Sequence, residues 1–319
     1  MRTATVAGSS GLDRILLEDR GTPVPGPGEV LVRPRVAALN YRDLLVASGG
    51  YGKIPASRIP VSDAVGVDPQ GRRVVASFMT GWLAGEMTPA HTRTALGGAV
   101  DGVLAQEVVL PAASLVEIPD AIDDATAATL PCAGVTAWRA LEGVMPGDTV
   151  LTIGSGGVST WAIVLSRAMG ARVLAVSRDP ARRARLAALG AEVIDGSGDW
   201  DAEAYRLTGE RGVDRVVELG GPGTLARSIR AVRMSGTISL IGTITGNEGA
   251  VPTANLLRKG VRLQGLLVGS RSHLEALVRA VALHRLSAVI DRAFPLDQVR
   301  VAYRHLAAGG QVGKVLVTL

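Results

Sequence analysis

Two stretches of the chain hold residues that could do chemistry. In the first, Asn40-Tyr41-Arg42-Asp43 follows a strand-like run and precedes an apolar one. These side chains can all hydrogen-bond, and none is a strong nucleophile. The cluster could be a catalytic centre, a substrate clamp or an ordinary loop. In the second, Gly154-Ser155-Gly156-Gly157-Val158-Ser159 stands between the strand-like TVLTI (149–153) and a helical stretch. Glycines at such a place let the backbone turn tightly and approach a pyrophosphate. The helix start then offers free N–H groups and a partial positive charge to the phosphates. Ser159 takes the place of the third glycine and is small enough for close packing of helix on strand. The chemistry predicted here is dinucleotide binding.

The tip of the next strand selects the nucleotide. An NAD site places Asp or Glu there for the ribose 2′-hydroxyl. This chain has Ser177-Arg178, with Arg182 and Arg183 just beyond. Ser can donate to a 2′-phosphate, and Arg can pair with it in a charge-assisted contact. Asp179 precedes Pro180 and reads as a helix cap. The sequence therefore predicts NADP(H).

Elements that could position these residues follow from the pattern. Up to about residue 118, short β-prone runs (30–36, 73–78, 102–110) alternate with Gly/Pro clusters such as TPVPGPGE. A short helix is predicted over 42–48. Asp123-Asp124-Ala125 opens a helix with acids in its first turn, suited to the helix dipole. From 149 onward strands and helices alternate: 149–153, 158–169, 172–176, 180–189, 192–195, 200–207, 213–219, 224–232, 237–242 and a sixth strand at 261–268. The strands are short and continuously apolar, as parallel strands covered on both faces are. The tail reads as a helix over 272–286, a short segment at 289–290, a helix over 296–307 and a last strand, KVLVTL. The fold class is α/β, with domains at 1–118 plus 271–319 and at 119–270.

The composition excludes several classes. The chain has 319 residues, 47% hydrophobic and 20% charged, which fits a globular protein with substantial cores. No apolar run reaches the ~18 residues of a membrane span, and the first residues lack a signal-peptide core, so a cytoplasmic location is expected. The single Cys132 sits in the apolar LPCAGVTAW; it forbids an intramolecular disulfide and reads as a packing residue. The net charge is +5, but the basic residues are dispersed and aromatics are only 3%, so no basic block interleaved with aromatics points to nucleic acid.

With these residues in view, the chain resembles the medium-chain dehydrogenase/reductase superfamily, in its zinc-independent quinone oxidoreductase-like and alcohol dehydrogenase-like branch. The marks are LNYRDLL, ALGGAVDGVLAQEVVLP, ATLPCAGVTAW, GSGGVS, GTISLIG, LLVGSR and GGQVGKVLV. The resemblance implies a GroES-like β-barrel domain and a Rossmann domain, with nicotinamide and a small-molecule substrate held in a cleft between them. It implies that Thr136 and Arg139 lie near the cofactor, Gly242-Thr243 by the adenosine, Val268-Gly269-Ser270 by the nicotinamide amide, and Lys314 by the ribose or phosphate. Zinc-dependent relatives hold a Cys at the Asn40 position and use further Cys, His and acidic ligands. One Cys and four scattered His (His91, His273, His284, His305) do not supply such a set, so no metal is expected. Relatives often dimerise through a Rossmann-sheet edge, which makes VRLQGLLV a candidate interface and a homodimer the expected state.

The resemblance also directs the polar cluster toward reduction of an activated C=C bond or a quinone. Donors must then meet a carbonyl oxygen as negative charge develops on it. Asn40 and Tyr41 are the candidates, Tyr51 is a second wall or donor, and Asp43 orients the loop or caps the helix. One departure stands out: IPVSDAVGVDPQGRRVVASF is about ten residues shorter than the family pattern. Asp68-Pro69-Gln70-Gly71 is a good turn sequence for closing that gap. The shortening motivates an alternative: a redox-inactive member that binds NADP(H) structurally or catalyses a non-redox step such as a cyclisation.

Overall fold

A computed structural model describes residues 1–6, 11–52, 55 and 57–319. In chain order the strands are β1 (Arg2–Val6), β2 (Ile15–Asp19), β3 (Glu29–Leu39), β4 (Asp63–Val67), β5 (Arg73–Ala76), β6 (Val108–Pro111), β7 (Leu115–Glu117), β8 (Thr149–Ile153), β9 (Arg172–Ser177), β10 (Glu192–Asp195), β11 (Val213–Glu218), β12 (Val232–Leu240), β13 (Arg262–Gly265), β14 (Ile290–Pro295) and β15 (Lys314–Thr318). The chain divides into two compact units, Met1–Val135 with Val268–Leu319, and Thr136–Leu267. Composition alone sets the division at 118/119 and 270/271. The helical segment after Asp123 accounts for most of the difference. Its first turns stay with the first unit, where Asp123 caps Asp124–Ala127 by accepting from the Thr126 N–H at 2.6 Å.

In the first unit β1 and β2 form an antiparallel hairpin, and a seven-stranded sheet runs β14-β15-β3-β4-β5-β7, with β6 also on β3. The eleven-residue β3 changes partners along its length: Glu29–Val32 pairs with β6, and the stretch beyond pairs with β4 and β15. The register shifts between Pro34 and Val36, where proline has no N–H to give the ladder. The short β4–β5 connection closes as its turn residues predict. Asp68 Oδ1 accepts from the N–H groups of Gln70 and Arg72 at 3.0 and 2.9 Å, and Arg72 Nε donates to Asp68 Oδ2 at 2.8 Å. The strand expected over 102–110 is confined to Val108–Pro111. At Gly102 the chain lies directly on the Val61 backbone, where a Cβ would meet Val61 O at 2.0 Å, so the segment cannot run as regular ladder. Val61 itself has φ 71°, a costly conformation for a β-branched residue.

In the second unit six parallel strands lie in the order β10-β9-β8-β11-β12-β13. That is the doubly wound dinucleotide-binding order, whose switch point falls between the first and fourth strands, here β8 and β11. The core at this sheet is built from Leu151, Leu174, Val216, Ile229 and Ile238, all fully buried, and Trp200, 3% exposed. Strand β13 is shorter than the expected 261–268 and forms the sheet edge. Helix Thr253–Lys259 leads into it, and its Leu257 is 83% exposed, so it lacks the apolar stripe that would announce a helix. Among the described residues no helix is long and apolar enough to cross a membrane.

Candidate active site

The glycine turn lies at the carboxyl end of β8. Gly154 has φ 88°, which favours glycine, and its N–H donates to Val176 O at 2.8 Å. The turn is thereby joined to the tip of β9, beside Ser177. A Cβ on Gly156 would meet nothing within 4 Å, so its surroundings are open. Gly156 is the N-cap of helix Gly157–Ala168 and offers no side chain to the first-turn N–H groups of Gly157, Val158 and Ser159. Ser159, fully buried, turns its hydroxyl back onto Ile153 O at 2.9 Å. A serine in the third glycine position thus fastens the turn. Ser155 is buried beside it.

At the β9 tip, Asp179 is committed to the helix that follows, accepting from the Arg182 N–H at 2.9 Å. Arg183 is also committed: its Nη1 reaches Ser177 O, Arg178 O and Asp195 Oδ1, each at 3.0 Å. Among the described residues the guanidinium groups of Arg178 and Arg182 have neither ion pair nor hydrogen bond. Arg178 is exposed and Arg182 half-buried. The turn and these two arginines fit a dinucleotide with a 2′-phosphate.

Across the switch point, the buried Glu218 at the end of β11 organises the next loop, a role that sequence reasoning did not assign. Its carboxylate accepts from the N–H groups of Gly220 and Gly221 at 2.7 and 3.1 Å and from the hydroxyls of Thr224 and Ser228. Gly242 lies so close to this loop that a Cβ would meet Leu219 O at 2.2 Å. Thr243 is exposed and donates to Asn247 Oδ1 at 3.0 Å. Thr136 is buried in helix Val135–Ala140.

In the first unit, strand register assembles a polar cluster from distant sequence. Asn40 directly follows β3 and is the N-cap of helix Tyr41–Ser48. Its N–H donates to Asp43 Oδ2 at 2.7 Å, so Asp43 caps the helix as expected. The β15–β3 register pairs Val315 with Leu39, which carries Lys314 to Asn40; Lys314 Nζ donates to Asn40 Oδ1 at 2.6 Å. The β3–β4 register pairs Ala38 with Asp63. Asp63 Oδ1 accepts from the Ser62 hydroxyl at 2.6 Å, and Oδ2 from the Cys132 N–H at 3.1 Å. Lys314 is 3% exposed and Asp43 and Asp63 fully buried.

Burial dominates the electrostatics of this cluster. It pushes the Asp43 carboxyl up to about 6, against the opposing pull of Arg42 and the Asn40 N–H. It also raises Asp63, which Lys314 and the Ser62 hydroxyl hold down. The Cys132 thiol is driven well above its ordinary range by burial and then by Asp63. Ser62, Asp63 and Cys132 belong to this cluster, and only their types, not their juxtaposition, could be read beforehand.

The other expected residues are placed differently. Tyr41, at the first turn of its helix, is 49% exposed. Tyr51 is 39% exposed, and the Arg42 guanidinium lies over its ring, 4.7 Å from the centroid, and over the Phe78 ring at 4.4 Å. Gly269 and Val268 are buried, the latter with φ 41°. Ser270 is the N-cap of helix Arg271–His284 and its hydroxyl engages His273 Nδ1 at 2.6 Å.

Comparison with known proteins gives the family. Residues 26–120 match the alcohol dehydrogenase GroES-like domain, and 157–282 match the zinc-binding dehydrogenase domain. A zinc-type alcohol dehydrogenase-like protein of Schizosaccharomyces pombe is 35% identical over 97% of this chain and 96% of its own. The chain belongs to the medium-chain dehydrogenase/reductase superfamily. Within that superfamily it is also similar to an acryloyl-coenzyme A reductase of Metallosphaera sedula, 27% identical over 93% of this chain and 94% of the relative. A solved NAD-dependent alcohol dehydrogenase is 30% identical, with full coverage of both chains and a TM-score of 0.91. The family makes this an oxidoreductase that uses a nicotinamide cofactor.

The zinc-binding name can be tested against the donors. Among the described residues no three His, Cys, Asp or Glu side chains come together as metal ligands. Around Asn40 the groups of ligand type are Asp43, whose Oδ2 holds the Asn40 N–H, Asp63 and Cys132. Both Asp63 oxygens are engaged, and the Cys132 thiol is disfavoured as a thiolate, the form that binds metal. This set does not fit a tetrahedral zinc.

Proposed function

We propose that this protein is a zinc-independent, NADPH-dependent reductase of an activated C=C bond or a quinone. The observation that carries the reading is the donor set around Asn40: an amide whose oxygen is held by a buried ammonium, with carboxylates and a thiol unsuited to zinc. Such a site lacks the Lewis acid that a simple ketone or alcohol needs. It suits a substrate whose conjugation already makes it electrophilic. The relative named for reducing acryloyl-coenzyme A acts on an acceptor of that kind.

The Gly154–Val158 turn would hold the pyrophosphate, with Arg178 and Arg182 on the 2′-phosphate and Thr136, Gly242 and Thr243 along the dinucleotide. Val268-Gly269-Ser270 would face the nicotinamide amide. The nucleotide-binding domain is taken as 119–270, and 1–118 with 271–319 as the substrate domain. Bound reduced nicotinamide supplies the hydride. Asn40 would donate to the carbonyl oxygen on which negative charge develops during reduction, with Tyr41 and Tyr51 as walls or further donors. A proton from water then completes the α-carbon, leaving the saturated carbonyl compound and oxidised cofactor. Asp43 holds the helix start and takes no proton from substrate. The edge strand β13 supports a homodimer, with its free edge meeting that of a second copy.

The test is oxidation of NADPH across a panel of enones, enoyl thioesters and quinones, together with metal analysis. Turnover by metal-free protein is expected. One equivalent of zinc per chain, or activity confined to simple alcohols and ketones, would overturn the reading. The short β4–β5 turn supports a second reading, a member that binds NADP(H) without redox turnover; tight NADPH binding with no oxidation on any acceptor would favour it.

A further inference from the structure

Two loops leave the carboxyl edge of the six-stranded sheet near the glycine turn, one after β11 and one after β12. The β8–β11 register ends with Thr152 opposite Val217. Two residues further on, Gly154 opens the glycine turn and Leu219 opens the loop after β11, so these two turns leave the sheet as neighbours. Ligands of a doubly wound fold bind in the crevice at this switch point.

Glu218 joins both loops. Its main-chain oxygen accepts from the N–H groups of Ile241 and Gly242 at 2.9 and 3.3 Å, which holds the loop after β12. Its carboxylate holds the loop after β11. Oε1 takes the Gly220 and Gly221 N–H groups and the Thr224 hydroxyl, and Oε2 takes the Ser228 hydroxyl. The side chain is fully buried, and among the described residues no Lys, Arg or His is paired with it. A carboxylate so placed is costly unless its lone pairs are used, and these donors use them.

Thr245 fastens the same loops from the exposed side. Its N–H and its hydroxyl both donate to Gly220 O, at 2.8 and 2.7 Å, and the hydroxyl accepts from the Gly223 N–H at 2.8 Å. Between the two clamps the loops touch: Gly221 has φ 82°, and a Cβ there would meet Thr243 Cα at 2.9 Å. The side-chain bonds of Glu218 and Thr245 go to the loop after β11 and the helix that follows it, none to a strand. They shape the rim of the crevice rather than the sheet.

We propose that Glu218 and Thr245 are positioning residues for the dinucleotide, locking the loops after β11 and β12 into one wall of the cofactor crevice. The clamps are made wholly of protein groups, so the wall needs no cofactor to form, and a site formed in advance spends less of its binding energy on ordering. The proposal rests on the dinucleotide reading of the glycine turn. It does not rest on the choice between NADP(H) and NAD(H), because the wall is assigned to the part of the cofactor common to both.

The test is titration of NADPH and NADH into wild type, Thr245→Val, Thr245→Ser, Glu218→Gln and Glu218→Ala, with the thermal midpoint of each protein recorded without nucleotide. Valine keeps the shape of threonine and removes the hydroxyl; serine keeps the hydroxyl. Thr245→Val is expected to raise both Kd values in parallel, about tenfold, with a midpoint within about 3 °C of wild type. Thr245→Ser is expected to restore both Kd values to within about twofold. Glutamine at 218 keeps one oxygen for the loop N–H groups, and its amide can donate to the Ser228 hydroxyl, so a change below about threefold is expected. Glu218→Ala is expected to lose about tenfold or more; if it does not fold, Thr245→Val still decides. A lowered midpoint with unchanged Kd values in Thr245→Val would make the clamp merely structural and overturn the proposal. A loss confined to NADPH, or one that Thr245→Ser fails to rescue, would also overturn it. Wild type that binds neither nucleotide would overturn the dinucleotide reading itself, and the proposal with it.

Discussion

Asp63 holds the Cys132 backbone N–H at 3.1 Å, tying β4 to the turn of helix at Leu130–Gly134. The same carboxylate lies near enough to the thiol to oppose its ionisation, adding to the effect of burial. A half-exposed cysteine would ordinarily be open to alkylation, but the reactive form is the thiolate. At pH 8 iodoacetamide is therefore expected to label native Cys132 about 100-fold more slowly than the unfolded chain. Labelling within about tenfold of the unfolded rate would contradict this electrostatic account.

Asp43 carries a pH dependence of opposite sign to that of most carboxylates. Its folded value, about 6, lies above the ordinary 3.8 because burial outweighs Arg42 and the Asn40 N–H. Between these values the folded state holds more protons than the unfolded one. The contribution of Asp43 is complete below pH 3.8 and is lost as pH rises through 6, a change of about 2–3 kcal/mol. Asp43→Asn can still accept from the Asn40 N–H through its amide oxygen and cannot titrate. The stability difference between variant and wild type, measured by denaturant unfolding at pH 4.5 and 7, is expected to move in favour of the variant at the higher pH. A constant difference would show that Asp43 keeps its ordinary pKa.

The two units differed in how much of them could be read from the sequence. Strands β8 and β10 match their predicted bounds to the residue, and β9 and β11 to within one; β8 and β9 are nearly unbroken apolar runs, as parallel strands covered on both faces are, and the edge strand β10 was placed by the alternation of strand and helix around it. The glycine turn was legible because its neighbours were. The polar cluster was legible only at Asn40 and Asp43, which are local to one helix start. Its other members arrive by strand register: Lys314 through β15–β3, Asp63 through β3–β4. No local pattern encodes such pairing. Hairpin β1–β2 and strand β14 were missed for a related reason, since RTATV, ILLED and IDRAFP mix polar and apolar residues without a clean period.

Asp214 gives the opposite acid response. Its carboxylate accepts from Arg211 Nη1 at 2.9 Å, Arg233 Nε at 2.6 Å and the Thr149 N–H at 2.8 Å, joining the starts of β8 and β11. Burial pushes this group up, but these partners together pull it down to about 2. A lowered folded pKa stabilises above the unfolded value near 3.8 and is lost as pH falls toward 2, about 2 kcal/mol in all. Asp214→Asn is expected to cost at least that much at pH 7, because two arginines lose their carboxylate, and to cost less at pH 2.5. Equal cost at both pH values would remove the ion pairs from the account.

Arg178 and Arg182 make the nucleotide preference testable. Arg183 is tied to Ser177 O and Asp195, and Asp179 to its helix, whereas the other two guanidinium groups have no partner among the described residues. A charge-assisted contact of each with a 2′-phosphate would be absent with NADH. Arg178→Ala and Arg182→Ala are each expected to raise the NADPH Kd about tenfold, near 1.4 kcal/mol, and to leave that of NADH within twofold. The NADPH loss should shrink as salt rises, since both side chains lie partly in solvent. Tighter binding of NADH than NADPH by wild type, or parallel losses for both nucleotides in the variants, would assign the two arginines to an ordinary solvated surface.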